Sequence, residues 1–304
     1  MGEVIDWLLE GDPTVRWQVE RDLLDEPADV WSRTRARIAH DGWGTELLGH
    51  QDPSGRWASG LYSPKWTSTT YTLLLLRRLG LDPNNEQARK GCKELIDAAR
   101  WIDGGITYWD SHRFPEACVN AMVASVCAYF GYEPDRVASI LDGIALSRTE
   151  DGGWNCRAPA GDTHGSFHTT ISALEALSIC RERGIGGDLD ALIDEGQEFL
   201  LSHSMFRSHT TGEVIDPAWL SPHFPPRWHY DVLRGLDHLA SSRAPVDDRC
   251  EEAITILADA RRPDGRWSKG PDYGGHRFFR MEPGRVAGRW NTLRARRVLR
   301  WWGG

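Results

Sequence analysis

Apolar positions follow a helical rhythm along most of the chain, and the richest runs sit at similar intervals. Ile171, Leu174 and Leu177 lie at i, i+3 and i+6, one face of a helix. Runs of this apolar kind predict helices over 66–79, 117–130, 167–180, 228–239 and 290–301. Between them, more polar stretches predict amphipathic helices over 86–100, 134–147, 189–201 and 247–261. Helices apolar on most faces belong inside and helices with a polar face belong outside, so the alternation predicts two concentric layers. The N-terminal part predicts three further helices, over 5–9, 14–24 and 28–40. Asp12 is a good N-cap and Pro13 a good first residue for the second of them.

Each apolar helix is preceded by a turn with glycine two places before an aromatic or branched residue. These pairs are Gly55/Trp57, Gly104/Ile106, Gly152/Trp154, Gly212/Val214 and Gly265/Trp267, at intervals of 48 to 60 residues. Six places before the closing residue stand Gln51, Arg100, Arg148, Ser208 and Arg261. A period of about 50 residues is near that of two-helix repeats. The fold expected is all-α: a single α/α toroid over residues 1–304, with about five to six helical hairpins. Residues 1–50 would pack on the ring or complete it. An open solenoid is the alternative. Closure is favoured because Trp290, Trp301 and Trp302 at the C-terminus need a surface to cover them.

Composition narrows the function. Fifteen Trp in 304 residues imply structural anchors together with an aromatic-lined cavity. A net charge of −8 and the lack of a basic cluster argue against nucleic acid as a partner. The acidic start of the chain has no signal-like apolar core, and no apolar run approaches the ~20 residues that span a bilayer. The reading is a soluble, cytoplasmic protein without an integral membrane segment. Six cysteines in such a chain are buried thiols or metal ligands rather than a disulfide scaffold.

The stretch 151–177 holds a turn, a loop with Cys156 and His164, and a helix opening with Phe167 and His168. Aligning the helix starts puts Thr67, Cys118, His168, His229 and Asn291 at matching positions, so successive inner helices begin with Cys, His and His. Cys118, Cys156 and His168 make a ligand set suited to zinc. The helix dipole should lower the pKa of Cys118. A blander reading has inert buried thiols, which is also the assignment of Cys127 and Cys180, while Cys92 and Cys250 get no role. His229 reads as an acid/base or cavity residue, with Tyr230 and Asp231 beside it. Asp231 equally suits a helix first turn. Lys65 and Arg113 flank the same end and could meet an anion.

Gln51-x-x-x-Gly55-x-Trp57 resembles the QW motif of squalene and terpenoid cyclases, and the turns at Trp154 and Trp267 look like copies with Arg in place of Gln. Phe167-His168-Thr169 is similar to the His-Thr zinc segment of protein prenyltransferase β subunits. The resemblance covers about residues 40 to 302 and implies the α/α-toroid fold. It implies that Cys118 and His168 ligate zinc, with Glu116 where that family has Asp, and Cys156 able to take the vacant coordination place. Lanthionine cyclases carry a Cys, Cys, His zinc site on such a toroid. The function implied is a zinc-dependent enzyme acting on a hydrophobic, isoprenoid-like small molecule in a Trp-lined cavity. Trp66, Phe167, Trp228 and Trp290 would line it with Lys65 and Arg113, and His229, Tyr230, Asp231 and Glu116 would be the catalytic candidates. Two alternatives stand beside this: a non-catalytic toroid binding an apolar ligand or a protein, and a metal-free cyclase. The cyclase acid motif Asp-x-Asp-Asp is missing from the chain. Prenyltransferases also need a separate partner subunit, and an aromatic usually follows their zinc Cys where this chain has Val119.

Overall fold

The structure is a computed structural model that describes residues 2–282 and 286–303. More than half of the chain is helical. The helices in chain order are α1 (Gly2–Leu9), α2 (Pro13–Asp22), α3 (Ala28–Ala36), α4 (Gly42–Gly49), α5 (Thr69–Leu79), α6 (Glu86–Asp97), α7 (Ala117–Tyr129) and α8 (Pro134–Ala145). They continue with α9 (Phe167–Glu182), α10 (Asp190–Ser202), α11 (Val232–Ser241), α12 (Glu251–Asp259) and α13 (Arg289–Gly303). One two-stranded antiparallel sheet, β1 (Arg100–Ile102) with β2 (Gly105–Thr107), forms at the second repeated turn. Helix α4 has no counterpart in the expected pattern. Gly42, Gly44 and Gly49 hide its rhythm, and Gly44 leaves so little room that a Cβ would meet the Ile38 carbonyl oxygen at 2.2 Å.

The repeated turns are real, and one geometry recurs. Gly55, Gly104, Gly152, Gly212 and Gly265 all have positive φ, between 73° and 102°, which glycine adopts without a Cβ penalty. The closing residue then turns its N–H onto a side chain of the next apolar helix. Trp57 donates to Thr69 Oγ1 (3.1 Å), Ile106 to Asn120 Oδ1 (2.7 Å), Trp154 to Thr170 Oγ1 (2.9 Å) and Trp267 to Thr292 Oγ1 (3.0 Å). These bonds fix each turn to its helix and correct the expected alignment of helix starts. Counting back from Thr292, the position that matches Cys118 and His168 is Trp290, not Asn291. The fourth repeat departs too: α11 begins at Val232, so His229 lies in the loop before it, as do Trp66 and Thr67 before α5.

The apolar helices α5, α7, α9, α11 and α13 pack each on the next, and α13 packs on α2. Helix α2 in turn touches α4, and α4 touches α5, so the order of contacts returns to its start. The join is polar. Arg297 of α13 reaches Asp22 at 2.6 Å, Arg300 bonds the Asp22 carbonyl at 2.9 Å, and Arg289 Nε donates to the Trp7 carbonyl at 3.0 Å. Helices α6, α8, α10 and α12 pack outside these with one buried face each. Trp57, Trp154 and Trp267 are buried between the layers. Trp57 and Trp267 each donate Nε1 to a carbonyl ten residues back, Leu47 and Leu257. A buried leucine such as Leu73 contributes about 2 kcal/mol by this burial. No helix among the described residues is long and apolar enough to cross a membrane.

Candidate functional site

The loops that enter the apolar helices gather at one end of the molecule. Cys118 stands in the first turn of α7 and Cys156 in the loop before α9. The fold brings them together: the backbone N–H of Cys118 donates to Cys156 Sγ at 3.2 Å. Cys156 Sγ also lies 3.5 Å from Thr169 Oγ1. The pair therefore shares protons unevenly. The neighbouring Cys118 thiol holds Cys156 below the ordinary thiol range, against its burial. The Cys156 thiol, then burial, pushes Cys118 well above it. This reverses the expected lowering of Cys118. The Val119 amide of the helix still lowers it, but the neighbouring Cys156 thiol, burial and the charge of Glu116 outweigh that amide.

Beside the thiols is a pile of rings. Tyr62 contacts Tyr71 at 5.2 Å between ring centres, Tyr71 contacts Trp66 at 4.9 Å and Trp66 contacts His229 at 5.7 Å. His229 is held between Trp228 and Tyr273, each 3.8 Å away and nearly parallel, and Tyr273 stacks in turn on His223 at 4.5 Å. His168 meets Trp228 edge-on at 5.0 Å and His229 at 6.0 Å. Burial first, then the positive charge of Arg234, lowers the pKa of His168 to about 4. Burial first, then repulsion from His168, lowers His229 also to about 4. Both imidazoles are neutral at pH 7. His168 Nδ1 accepts the Tyr230 N–H at 2.8 Å, so the proton of the neutral ring sits on Nε2. His229 Nδ1 is buried without a well-formed hydrogen bond.

The other expected site residues divide. Asp231 is the N-cap of α11: one oxygen accepts Arg234 N–H at 2.7 Å and the other His223 N–H at 3.2 Å. Tyr230 is buried and donates its hydroxyl to the Met205 carbonyl at 2.6 Å. Both groups are engaged in holding the backbone. Glu116 precedes α7, half-buried, with one oxygen 3.6 Å from His112 Nδ1. Phe167 packs among Phe199, Trp219 and Tyr230, and Trp290 stacks on Phe224 at 4.1 Å; both are core. Lys65 is exposed with its ammonium 5.3 Å above Trp228 and 5.6 Å above Trp66, while Arg113 is exposed and makes no ion pair among the described residues. His164 is exposed on its loop. Tyr273, His223, Arg227 and Trp219 are the residues that the alignment missed. The density of Pro and Gly around 221–227 and 270–275 marks those loops as irregular, which is the signal that could have drawn attention to them.

The thiol pair suits a soft divalent ion, which would displace the thiol protons. The imidazole does not join them as placed. A histidine that ligates through Nε2 needs a proton on Nδ1, and here Nδ1 faces a donor. Among the described residues no group of three or more His, Cys, Asp or Glu comes together to hold a metal ion. The space at this end is also small. A cavity of about 50 Å³ lies against Trp66, Arg227, Asp272, Tyr273 and Arg277. Of the expected substrate-lining residues only Trp66 borders it. The segment 270–282 covers it, bonded to Trp66 through His276 O (2.8 Å) and Gly274 O (2.7 Å) and to the Lys65 carbonyl through His276 N–H (2.9 Å).

The middle of the molecule is not an apolar lumen. Glu175 of α9 bonds Arg77 and Arg78 of α5 and Arg234 of α11, which crosses the space between those helices with charge. No family model matches the chain, and no curated protein matches it either.

Proposed function

We propose that the chain is a single α/α toroid of the terpenoid cyclase and prenyltransferase superfamily, and that it is an enzyme whose reactive centre is the Cys118–Cys156 pair. The observation that carries this is the meeting of two thiols, 38 residues apart, at the head of one apolar helix with an uneven share of protons. The closed order of helix packing and the repeated turns support the toroid. Cys118 and Cys156 would hold zinc, and a zinc ion bound there supplies Lewis-acid chemistry.

The chain's own residues define the rest. Cys156 is the nucleophilic sulfur, since it carries the first negative charge of the pair. His168 presents an Nε2–H and acts as a proton donor, kept in that tautomer by Tyr230 N–H. His229 is a neutral base clamped by Trp228 and Tyr273. Trp66 and Trp228 offer faces that already attract the Lys65 ammonium, so the site favours an apolar substrate with a centre of positive character. Ligand cavities usually measure roughly 300–1,000 Å³, so the segment 270–282 must move aside for a substrate. Elemental analysis of protein purified under reducing conditions tests the metal: near-stoichiometric zinc, lost in Cys118→Ala and in Cys156→Ala, is expected. Metal-free wild type, or zinc retained by both variants, overturns the assignment.

A further inference from the structure

The opposite end of the apolar helices is built from different chemistry. Arg77 and Arg78 close α5, Glu175 lies midway along α9 with Ser178 beyond it, and Arg234 reaches toward them from the first turn of α11. Glu175 accepts from Arg77 at 2.9 Å, from Arg78 at 2.8 and 2.7 Å, and from Arg234 at 2.8 Å. None of these three guanidinium groups has another carboxylate partner among the described residues. Three buried cations thus share one anion, an excess of two positive charges. The remaining acids do not cancel it. Asp237 is taken by Arg294 and Arg297, and Glu182 is exposed at the rim. Two more arginines, Arg35 and Arg183, border the same space and make no ion pair among the described residues, donating to oxygens of Gly80 and Tyr129 instead.

These groups line a cavity of about 540 Å³. Two of its wall atoms are buried without a partner, Arg77 Nε and Ser178 Oγ. Their side chains are at least nine-tenths buried, with Arg77 9% and Ser178 9% exposed. Buried polar atoms left without a partner cost stability, and an anion that drew these side chains toward it would recover part of that cost. Guanidinium forks match the oxygens of phosphate two at a time, and a phosphate monoester carries about −1.5 to −2 charges at pH 7, the size of the excess. The cavity is larger than a phosphate group needs. Beyond the arginines its wall mixes Trp17, Pro83, Tyr129 and Ile179 with polar groups such as Gln18, His238 and Ser242, which suits an organic remainder carrying hydroxyls.

We propose that this cavity binds a small organic phosphate monoester, with its phosphate against Arg77, Arg78 and Ser178 and its carbon part toward Tyr129 and Ile179. The cavity is lined by other residues than the thiol pair, and Arg234 links the two regions by also donating to the His229 carbonyl at 2.7 Å. The test is calorimetric titration of the full chain with inorganic phosphate, glycerol phosphate and succinate at fixed ionic strength. Saturable binding of both phosphates, with glycerol phosphate tighter and succinate weaker, is expected. Arg78→Gln should weaken glycerol phosphate by about tenfold, the size of one charge-assisted bond, and Ser178→Ala by less. Thermal melts keep the test decisive where an arginine variant folds poorly. Phosphate should raise the Tm of wild type and raise that of Arg77→Gln and Arg78→Gln less. Absence of saturable phosphate binding, equal affinity for succinate, or affinities unchanged in both Arg78→Gln and Ser178→Ala would overturn the proposal.

Discussion

The two ends of the apolar helices differ in where their chemistry comes from. At the N-terminal end loops deliver it: Cys156, His229 and Tyr273 lie outside helices, and rings and thiols are packed with about 50 Å³ to spare. Deeper along the same helices, the helices themselves deliver it: Arg77 and Arg78 close α5, Glu175 lies midway along α9 and Arg234 reaches in from the first turn of α11, around about 540 Å³. The thiol pair and two of the neutral imidazoles lie at the closed end, and the cluster of arginines on Glu175 borders the open one. Space and tuned protonation are therefore separated, because groups with shifted protonation need close neighbours to shift them.

The comparison breaks first at Glu175. It is the one anion under three guanidinium groups, and burial alone would raise its pKa; Arg234, Arg78 and Arg77 together hold it well below the usual range. Glu175→Ala should cost about 3–5 kcal/mol, read as a lower urea midpoint, since it leaves cations buried together. A loss under 1 kcal/mol would show that the charges are solvated and the open end is ordinary surface. Acid sharpens the contrast next. Burial pushes His238 down to about 4, with His168 and His229 alike. A histidine lowered on folding charges first in the unfolded chain. The stability is complete above pH 6.5 and falls as pH drops to about 4. His238 alone contributes about 3 kcal/mol at most to that fall. The Glu175 contribution is untouched until below its ordinary value of 4.5. Thermal melts from pH 7.5 to 4.5 should show this slope, and His238→Gln should flatten it; a level profile contradicts the buried imidazoles.

The smallest effect concerns the repeat. Thr170→Val removes the acceptor for the Trp154 N–H and should cost about 1–2 kcal/mol while leaving thiol reactivity unchanged. Loss of thiol reactivity in that variant would mean that the turn positions the thiols as well as the helix.

Much of the frame was legible because it depends on short-range patterns. Turn glycines and helix periods mark local backbone, and they located nearly every helix. Helix α4 escaped because three glycines in eight residues blur its rhythm. The meeting of Cys118 with Cys156 was legible once helix starts were aligned, since both fall at one end of neighbouring units. Which thiol is acidic was not legible: it depends first on the neighbouring Cys118 thiol, then on Thr169 and the Cys118 amide around the Cys156 sulfur. His229 and Asn291 were misaligned by loops of irregular length, which sequence spacing cannot measure. The arginine end went unread although its signal was present. Glu175 interrupts an apolar run after Leu174, and Arg77-Arg78 ends a run of four leucines. A charge inside a buried helix asks for a partner, and three arginines answer from two other helices.

The proposed function requires that Cys118 and Cys156 form one reactive pair with the acidic sulfur on Cys156. The direct measurement is iodoacetamide labelling of the chelator-treated protein across pH 6 to 10, with each cysteine followed by mass spectrometry. Cys156 should label first, with a midpoint below that of a free thiol. Cys118 should stay slow well above that midpoint, and Cys118→Ser should shift the Cys156 midpoint upward. Equal rates at the two sulfurs, or Cys118 labelling first, would contradict it.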